Sequence, residues 1–125
     1  MALIKPFERR NAHRYPVELA LDLVLDNGSI LPVTAINISE HGLQFGCDGW
    51  VANEIEPRGI HLHPLDHIPL KAVFTLHDDS KLYIRCRVVS ARRLSQNHFL
   101  IGLEFVDFEG GGDDRLLAFL DKLSA

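Results

Sequence analysis

The feature that most constrains the fold is a strict alternation of apolar and polar residues directly before a turn signal. From residue 16 to residue 26 an apolar side chain recurs at every second position. These residues are Val17, Leu19, Leu21, Leu23 and Leu25. A period of two is typical of a half-buried β-strand. Asn27-Gly28 follows at once and favours a type I′ hairpin turn, in which both central residues have positive φ. We therefore predict a strand, a tight turn and a return strand over residues 29–38.

Further short segments after this hairpin also favour β-structure. Residues 43–47 carry Leu, Phe and Cys at every second position, and residues 81–93 alternate in the same way. Turn residues at 78–80 and 95–97 separate the later strands, and residues 98–106 form the last predicted strand. Short strands joined by tight turns favour a small barrel or a sandwich, and closing a barrel removes exposed strand edges.

Two regions break the alternating pattern. Residues 48–69 contain several glycines and prolines, and we expect a long connection there, anchored by Trp50, Val51 and Ile55, with a short strand near Ile60 to His63. Asp113 follows three consecutive glycines and is a predicted helix N-cap. Five apolar residues after it follow helical spacing. These are Leu116, Leu117, Phe119, Leu120 and Leu123. The mainly β chain is therefore expected to end in one helix.

Length and composition point to one ordinary globular domain. The chain has 125 residues, of which 46% are hydrophobic, so it can bury a core without a metal or a disulfide. The two cysteines, Cys47 and Cys86, form no CxxC pattern, which favours free thiols in a reducing compartment over a disulfide. No signal peptide or long apolar run is visible. A cytoplasmic location without a membrane partner is the resulting expectation.

Charge is distributed unevenly along the sequence. Residues 1–15 carry four basic side chains and one acidic side chain, a net charge of +3, while the whole chain is at −4, which leaves −7 for the remainder. The sequence pI of about 5.9 argues against a general nucleic-acid binder, which would be basic over the whole domain. A short basic arm on an acidic body instead suggests a local anion site. We expect residues 1–14 to be a flexible arm.

Two short motifs carry side chains suited to an anionic nucleotide. Arg10 and Arg14 lie four residues apart, and each guanidinium can bind a phosphate bidentately or take both acceptors of a guanine edge. Asn37-x-Ser39-x-x-Gly42 offers an amide, a hydroxyl and a glycine that permits a left-handed turn or a close backbone approach. Taken singly, the motifs are also compatible with a solvated basic terminus and a plain turn.

In this order, Arg10-x-x-x-Arg14, a hairpin and Asn37-x-Ser39-x-x-Gly42 resemble the PilZ domain, the bacterial receptor family for cyclic di-GMP. The family pattern is RxxxR on an N-terminal arm and [D/N]xSxxG at the start of a later strand. Many members have aspartate at the position of Asn37. An aspartate accepts hydrogen bonds from both guanine N–H donors more strongly than an asparagine oxygen does.

The resemblance extends over residues 8 to 123. Residues 43–45 look like the family's small-x-apolar continuation, and residues 101–105 are similar to its closing GxxF strand. The resemblance implies a six-stranded antiparallel barrel with a C-terminal helix, formed by residues 15–125, and a flexible N-terminal arm, residues 1–14, that closes over the ligand.

The resemblance also implies a role for each motif residue. Arg10 and Arg14 would contact phosphate and guanine, Asn37 and Ser39 would hydrogen-bond a guanine edge, and Gly42 would shape the turn. The implied cyclic di-GMP-binding residues are Arg9, Arg10, Arg14, Asn37, Ser39, Gly42 and Gly102. In similar members an arginine at the position of Arg9 accompanies an intercalated ligand dimer, so we expect two cyclic di-GMP molecules per chain.

The expected function is that of a receptor and adaptor without enzymatic activity, cofactor or metal. Ligand binding would order the arm and signal to a downstream protein, with no DNA partner. The alternative is a PilZ-like protein-interaction module that does not bind nucleotide. A third reading is a small metal-dependent hydrolase built on His61, His63 and His67, against which the favoured interpretation is three solvated loop histidines. A second basic cluster either borders the ligand surface or faces solvent. It comprises Arg85, Arg87, Arg92 and Arg93.

Overall fold

The computed structural model describes residues 13–60 and 68–124, which form a closed six-stranded barrel and a terminal helix. The strands are β1 (Tyr15–Leu25), β2 (Ile30–Ile38), β3 (Gly42–Cys47), β4 (Pro69–Thr75), β5 (Lys81–Ser95) and β6 (His98–Phe108). Their order around the barrel is β1-β2-β3-β6-β5-β4, and β4 closes it by pairing with β1. All neighbouring strands are antiparallel. The prediction of a six-stranded antiparallel barrel with a C-terminal helix is confirmed.

The core lies inside the barrel and is built from the alternating positions of its strands. In β1 the side chains of Leu21, Leu23 and Leu25 are buried, as the alternation predicts. The inward-facing residues of the other five strands complete one apolar cluster. Helix α2 (Gly112–Leu123) contributes Leu116, Phe119 and Leu120 to this cluster. Burial of one helix stripe against the barrel accounts for its position, because that stripe would otherwise expose apolar area to water.

The two hairpins at residues 25–29 and 76–80 share one turn geometry. In the first, Gly28 N–H donates to the Leu25 carbonyl at 2.9 Å and Leu25 N–H donates to the Ser29 carbonyl at 2.8 Å. Gly28 has φ +89, whereas Asn27 is not among the residues with positive φ. The prediction of a type I′ turn is therefore wrong. The geometry is that of a three-residue loop whose last residue is left-handed, and Asp79, with φ +67, takes that place in the second hairpin.

The described part of residues 48–69 contains a helix where we predicted an irregular connection. Helix α1 (Gly49–Ile55) is capped by Asp48, whose Oδ1 accepts from Val51 N–H at 3.0 Å. Ile55 is buried as expected, but Trp50 is 63% exposed, so its predicted role as an apolar anchor is wrong. The predicted short strand near Ile60 to His63 falls almost entirely on residues 61–67, outside the described residues.

The start of α2 also differs from the prediction. Its N-cap is Gly111, with φ +71, and Asp113 lies in the first turn together with Asp114. Both carboxylates still lie at the positive end of the helix dipole, which is favourable. Within residues 13–60 and 68–124, no helix is long and apolar enough to span a membrane.

Candidate functional site

The candidate site lies where the first residues of β1 meet the end of β2. Tyr15 pairs with Ile38 and Pro16 with Asn37, so Arg14 comes two positions before the β1 partner of Asn37, close enough for their side chains to meet. The ladder between β2 and β3 is irregular between Ala35 and Asn37, and Asn37 then pairs with Gln44. An irregularity of this kind re-aims the side chains that follow it.

Three polar side chains form a hydrogen-bonded chain at this place. Arg14 Nη1 donates to Asn37 Oδ1 at 2.7 Å, and Asn37 Nδ2 donates to Gln44 Oε1 at 2.8 Å. Arg14 is exposed, whereas Asn37 and Gln44 are half-buried. The predicted residues Arg14 and Asn37 are therefore brought together, and the guanidinium of Arg14 lies at the outer end of this series of hydrogen bonds.

Ser39 shapes the turn between β2 and β3. Its side chain is 1% exposed, and its Oγ accepts from the backbone N–H of His41 at 3.1 Å and lies 3.4 Å from the Gly42 carbonyl oxygen, to which it donates. The backbone N–H of Ser39 also donates to that carbonyl at 2.8 Å. In this structure Ser39 therefore holds the turn, and its hydroxyl is already engaged within the protein.

Gly42 is required by close packing of two strands. A Cβ at this position would lie 2.0 Å from the backbone carbonyl oxygen of Leu103 on β6. Gly42 is not among the glycines with positive φ, so of the two roles left open by the sequence, close backbone approach applies and the left-handed turn does not. The glycine lets β3 and β6 pair directly beneath the turn.

Gly102 lies on β6 opposite Gln44. A Cβ there would lie 2.3 Å from Ser90 Oγ and 3.9 Å from Gln44 Cγ. Gly102 is buried, and its missing side chain leaves room for Ser90 of β5 beside Gln44. Gln44 in turn contacts the Asn37 side chain, so Gly102 belongs to the same region as the other predicted residues within the described chain.

The remaining arginines are placed differently. Arg9 and Arg10 lie outside the described residues, so their predicted roles stay predictions. Arg85 Nη2 forms an ion pair with Asp107 Oδ2 at 3.2 Å, and Arg87 Nε donates to Glu104 Oε1 at 2.7 Å. The basic charge of this part of β5 is therefore offset by carboxylates of β6.

Gln44 is the residue of the site that the sequence prediction missed. It stands between two buried apolar residues of β3, which marks it only as an outward-facing strand position. The signal that could have predicted Gln44 is the asparagine at the [D/N] position of the motif, Asn37. An asparagine with one amide oxygen facing a ligand needs an acceptor for its NH₂ group, and a neighbouring strand is the obvious source.

The described residues offer no alternative site for metal or thiol chemistry. Residues 13–60 and 68–124 contain no group of three His, Cys, Asp or Glu side chains that could hold a metal ion, while His61, His63 and His67 lie outside them. Burial raises the pKa of Cys86 to about 12. Burial, together with the charge of Asp48, raises the pKa of Cys47 to about 11. Both thiols are free and buried, which is unsuited to nucleophilic chemistry at neutral pH.

Comparison with protein-family models identifies the family. The model described as "PilZ domain" matches residues 8–122, nearly the whole chain. The chain belongs to the PilZ domain family. PilZ domains are a cyclic di-GMP-binding family, and the expectation from the two arginine and asparagine motifs is thereby confirmed at the level of the family. Among curated proteins, none matches the sequence.

Solved structures of other PilZ proteins share the fold. The PilZ domain of CeSA from a cellulose-synthesizing bacterium is 14% identical, with a TM-score of 0.61, and the match covers 91% of this chain and 100% of that one. The Bacillus subtilis inhibitor of motility (MotI/DgrA) is 15% identical, with a TM-score of 0.68, over 93% of this chain and 51% of that one.

A third structure carries the ligand. The PlzA protein of Borreliella burgdorferi, in complex with c-di-GMP, is 10% identical, with a TM-score of 0.59, over 98% of this chain and 55% of that one. The PilZ chain thus spans the whole of the CeSA domain and about half of the other two proteins. At these identities the likeness concerns the fold.

Proposed function

We propose that this PilZ domain is a cyclic di-GMP receptor without enzymatic activity, and that it acts through a protein partner. The observation that carries the proposal is the hydrogen-bonded chain from Arg14 through Asn37 to Gln44. Two members of the family motifs, which lie 23 positions apart in the sequence, are in direct contact. Their contact places a cation and an amide oxygen side by side at the surface.

This arrangement suits the chemistry of the ligand. Cyclic di-GMP has two phosphates, which a guanidinium binds through charge-assisted hydrogen bonds, and two guanines, whose N1–H and N2–H groups are donors. Asn37 Oδ1 has two lone pairs, one of which accepts from Arg14. The second can accept from a guanine edge while the arginine contacts a phosphate or stacks on the base.

In this proposal, residues 1–14 are the segment that changes conformation when the ligand binds. Arg9 and Arg10 join Arg14 against the ligand, and binding orders the segment over the outer surface of β2, β3 and β6. The free energy of the new hydrogen bonds and stacking offsets the entropy lost by the segment. The surface that results is what a downstream protein reads in the cytoplasm, and DNA and membranes are not partners.

The proposal is tested by isothermal titration of the purified protein with cyclic di-GMP, using GTP as the control nucleotide. We expect saturable binding of cyclic di-GMP with two molecules per chain, because a third guanidinium at Arg9 helps offset four phosphate charges. A stoichiometry of one would contradict the ligand dimer while leaving the receptor in place. Absence of binding would instead favour the protein-interaction module.

Two arginine variants locate the binding surface. Arg14→Ala should weaken cyclic di-GMP binding at least about tenfold, because charge-assisted hydrogen bonds are lost, each of which contributes about 1.5–3 kcal/mol. Its stability in urea should stay within about 0.5 kcal/mol of wild type, since Arg14 is exposed. Arg85→Ala is the matched control, because that side chain is also exposed but pairs with Asp107. Equal effects of both variants would refute the placement of the site.

A further inference from the structure

We infer that Gln44 is a positioning residue, which accepts the amide protons of Asn37 so that Asn37 presents its oxygen to guanine. The inference rests on the proposed function and deepens it. It concerns the one family position at which this chain has an amide where many members have a carboxylate. An aspartate offers acceptors only, whereas an asparagine can present either an acceptor or a donor.

The two ends of the Asn37 amide have nearly the same shape, so their orientation is decided by their partners. Arg14 can only donate hydrogen bonds, and its Nη1 lies 2.7 Å from Asn37 Oδ1. Gln44 Oε1 lies 2.8 Å from Asn37 Nδ2 on the other side. Both contacts therefore favour the same orientation, with the oxygen outward and the NH₂ group directed along the barrel wall.

Gln44 is held where it can serve this purpose. Its side chain is half-buried on β3, and its backbone pairs with Asn37 on one side and with Gly102 on the other. A Cβ at Gly102 would lie 2.3 Å from Ser90 Oγ and 3.9 Å from Gln44 Cγ, so the glycine leaves room for Ser90 beside Gln44. From this position the Gln44 side chain reaches Asn37, and its Oε1 accepts from Asn37 Nδ2 at 2.8 Å.

Loss of this acceptor changes what the ligand meets. With methionine at position 44 the NH₂ group of Asn37 has no acceptor beside it on β3. Among the residues that the structure describes, Arg14 is then the one contact that still favours the outward oxygen. An amide turned over would bring the NH₂ group to the ligand, where it opposes the N1–H and N2–H donors of guanine. Adenine has a hydrogen-bond acceptor at N1, so this repulsion between donors would not arise with adenine. Gln44 therefore contributes to the preference for guanine over adenine.

The test compares Gln44→Met with Gln44→Glu and with Gln96→Met in the full chain. Gln96 lies in the turn between β5 and β6 and is exposed, so it is the matched control for a glutamine-to-methionine change. Titrations with cyclic di-GMP and cyclic di-AMP give the affinity ratio for each protein. Gln44→Met should weaken cyclic di-GMP about three- to tenfold, the effect of one hydrogen bond, and leave cyclic di-AMP unchanged or improved.

The glutamate variant separates positioning from structure. A carboxylate at residue 44 still accepts from Asn37 Nδ2, so Gln44→Glu should keep the preference for guanine even if its added charge weakens both ligands alike. An unchanged affinity ratio in Gln44→Met, or an equal loss for both nucleotides, would overturn the inference. Gln96→Met should match wild type in every titration.

A measurement without ligand distinguishes failure of this inference from failure of the proposed function. The side-chain ¹H–¹⁵N resonances of Asn37 should shift when Gln44 is replaced by methionine, because the NH₂ group loses its acceptor. If wild-type protein does not bind cyclic di-GMP, the proposed function fails and the role in guanine selection fails with it. If wild type binds and these resonances do not move in Gln44→Met, the positioning role alone is wrong.

Discussion

Replacing Gly42 by alanine gives the most direct test of how the site is built. A Cβ at residue 42 would lie 2.0 Å from the Leu103 carbonyl oxygen, 3.1 Å from the Leu103 carbonyl carbon and 3.3 Å from Glu104 Cα. All three atoms belong to the backbone of β6, so no side-chain rotation relieves the overlap. Real Cβ atoms essentially never approach within 3.0 Å of another atom, and the two strands must therefore separate by about 1 Å.

The expected loss of stability follows from that separation. Overpacking of this kind costs about 1–3 kcal/mol, and weakening two ladder hydrogen bonds adds about 1–2 kcal/mol. Together these give about 2–5 kcal/mol, against a total of about 5–15 kcal/mol for a domain of ordinary stability. At about 4 °C per kcal/mol, the melting temperature should fall by roughly 8–20 °C.

Thermal unfolding followed by circular dichroism, without ligand, measures this effect. Gly46→Ala is the matched control, because Gly46 is on the same strand and a Cβ there would lie 3.4 Å from His98 Nε2 and 3.9 Å from the Phe99 carbonyl oxygen, with no backbone overlap. Its melting temperature should stay within about 4 °C of wild type. If the two variants melt together, the close approach of β3 to β6 does not explain the glycine, and the reasoning is refuted.

Three further predictions address the turn, the thiols and the exposed aromatic residue. Ser39→Ala should lower the free energy of unfolding in urea by about 1–3 kcal/mol, since the buried turn loses a hydroxyl that both accepts and donates; an unchanged midpoint would contradict that role. Because the pKa of Cys47 is raised to about 11 and that of Cys86 to about 12, native protein at pH 8 should react with a thiol reagent far more slowly than urea-unfolded protein, and rapid labelling of either cysteine in the native state would count against it. The single tryptophan, Trp50, is 63% exposed, so its native emission should lie near that of solvent-exposed tryptophan and be quenched by iodide; a blue-shifted, unquenched spectrum would show that something covers it.

The strands and most turns could be predicted because residues close together in the sequence determine them. The alternation in β1 and the turn residues after it determine which face is buried and where the chain reverses. The type of the first turn depends on where the left-handed residue falls, and Asn27-Gly28 is compatible with more than one placement. The structure puts Gly28 at the end of a three-residue loop, and Asp79 occupies the same place without being a glycine.

Helix α1 escaped prediction because it is short and its pattern is ambiguous. It has seven residues, too few for a helical period to be recognised, and hydrophobicity alone, which favours a buried Trp50, does not show that the helix turns this side chain outward. Asp48 is a good N-cap residue, but the same residue type also begins turns. The local sequence alone does not distinguish a helix that begins at Asp48 from a turn that begins there.

The site could be predicted only in part, because one of its residues and the role of another depend on strand register. Arg14, Asn37, Ser39 and Gly42 follow from motif spacing. Gln44 follows from the pairing of β2 with β3 beyond the irregularity after Ala35. Whether Gly42 serves a left-handed turn or a close approach also depends on β6, about 60 positions later, and is therefore invisible in the local sequence.

The order of strands around the barrel also has a consequence for the route by which the chain folds. The first three strands are successive hairpins, so Asn37 and Gln44 are only seven positions apart. The join between β1 and β4 pairs Asp22–Leu25 with Leu70–Val73, partners 45 to 51 positions apart. Contacts that close long loops form late, because the loop loses conformational entropy before the contact contributes its favourable free energy. The meander of β1, β2 and β3 should therefore assemble early in the folding reaction, while the barrel is still an open sheet.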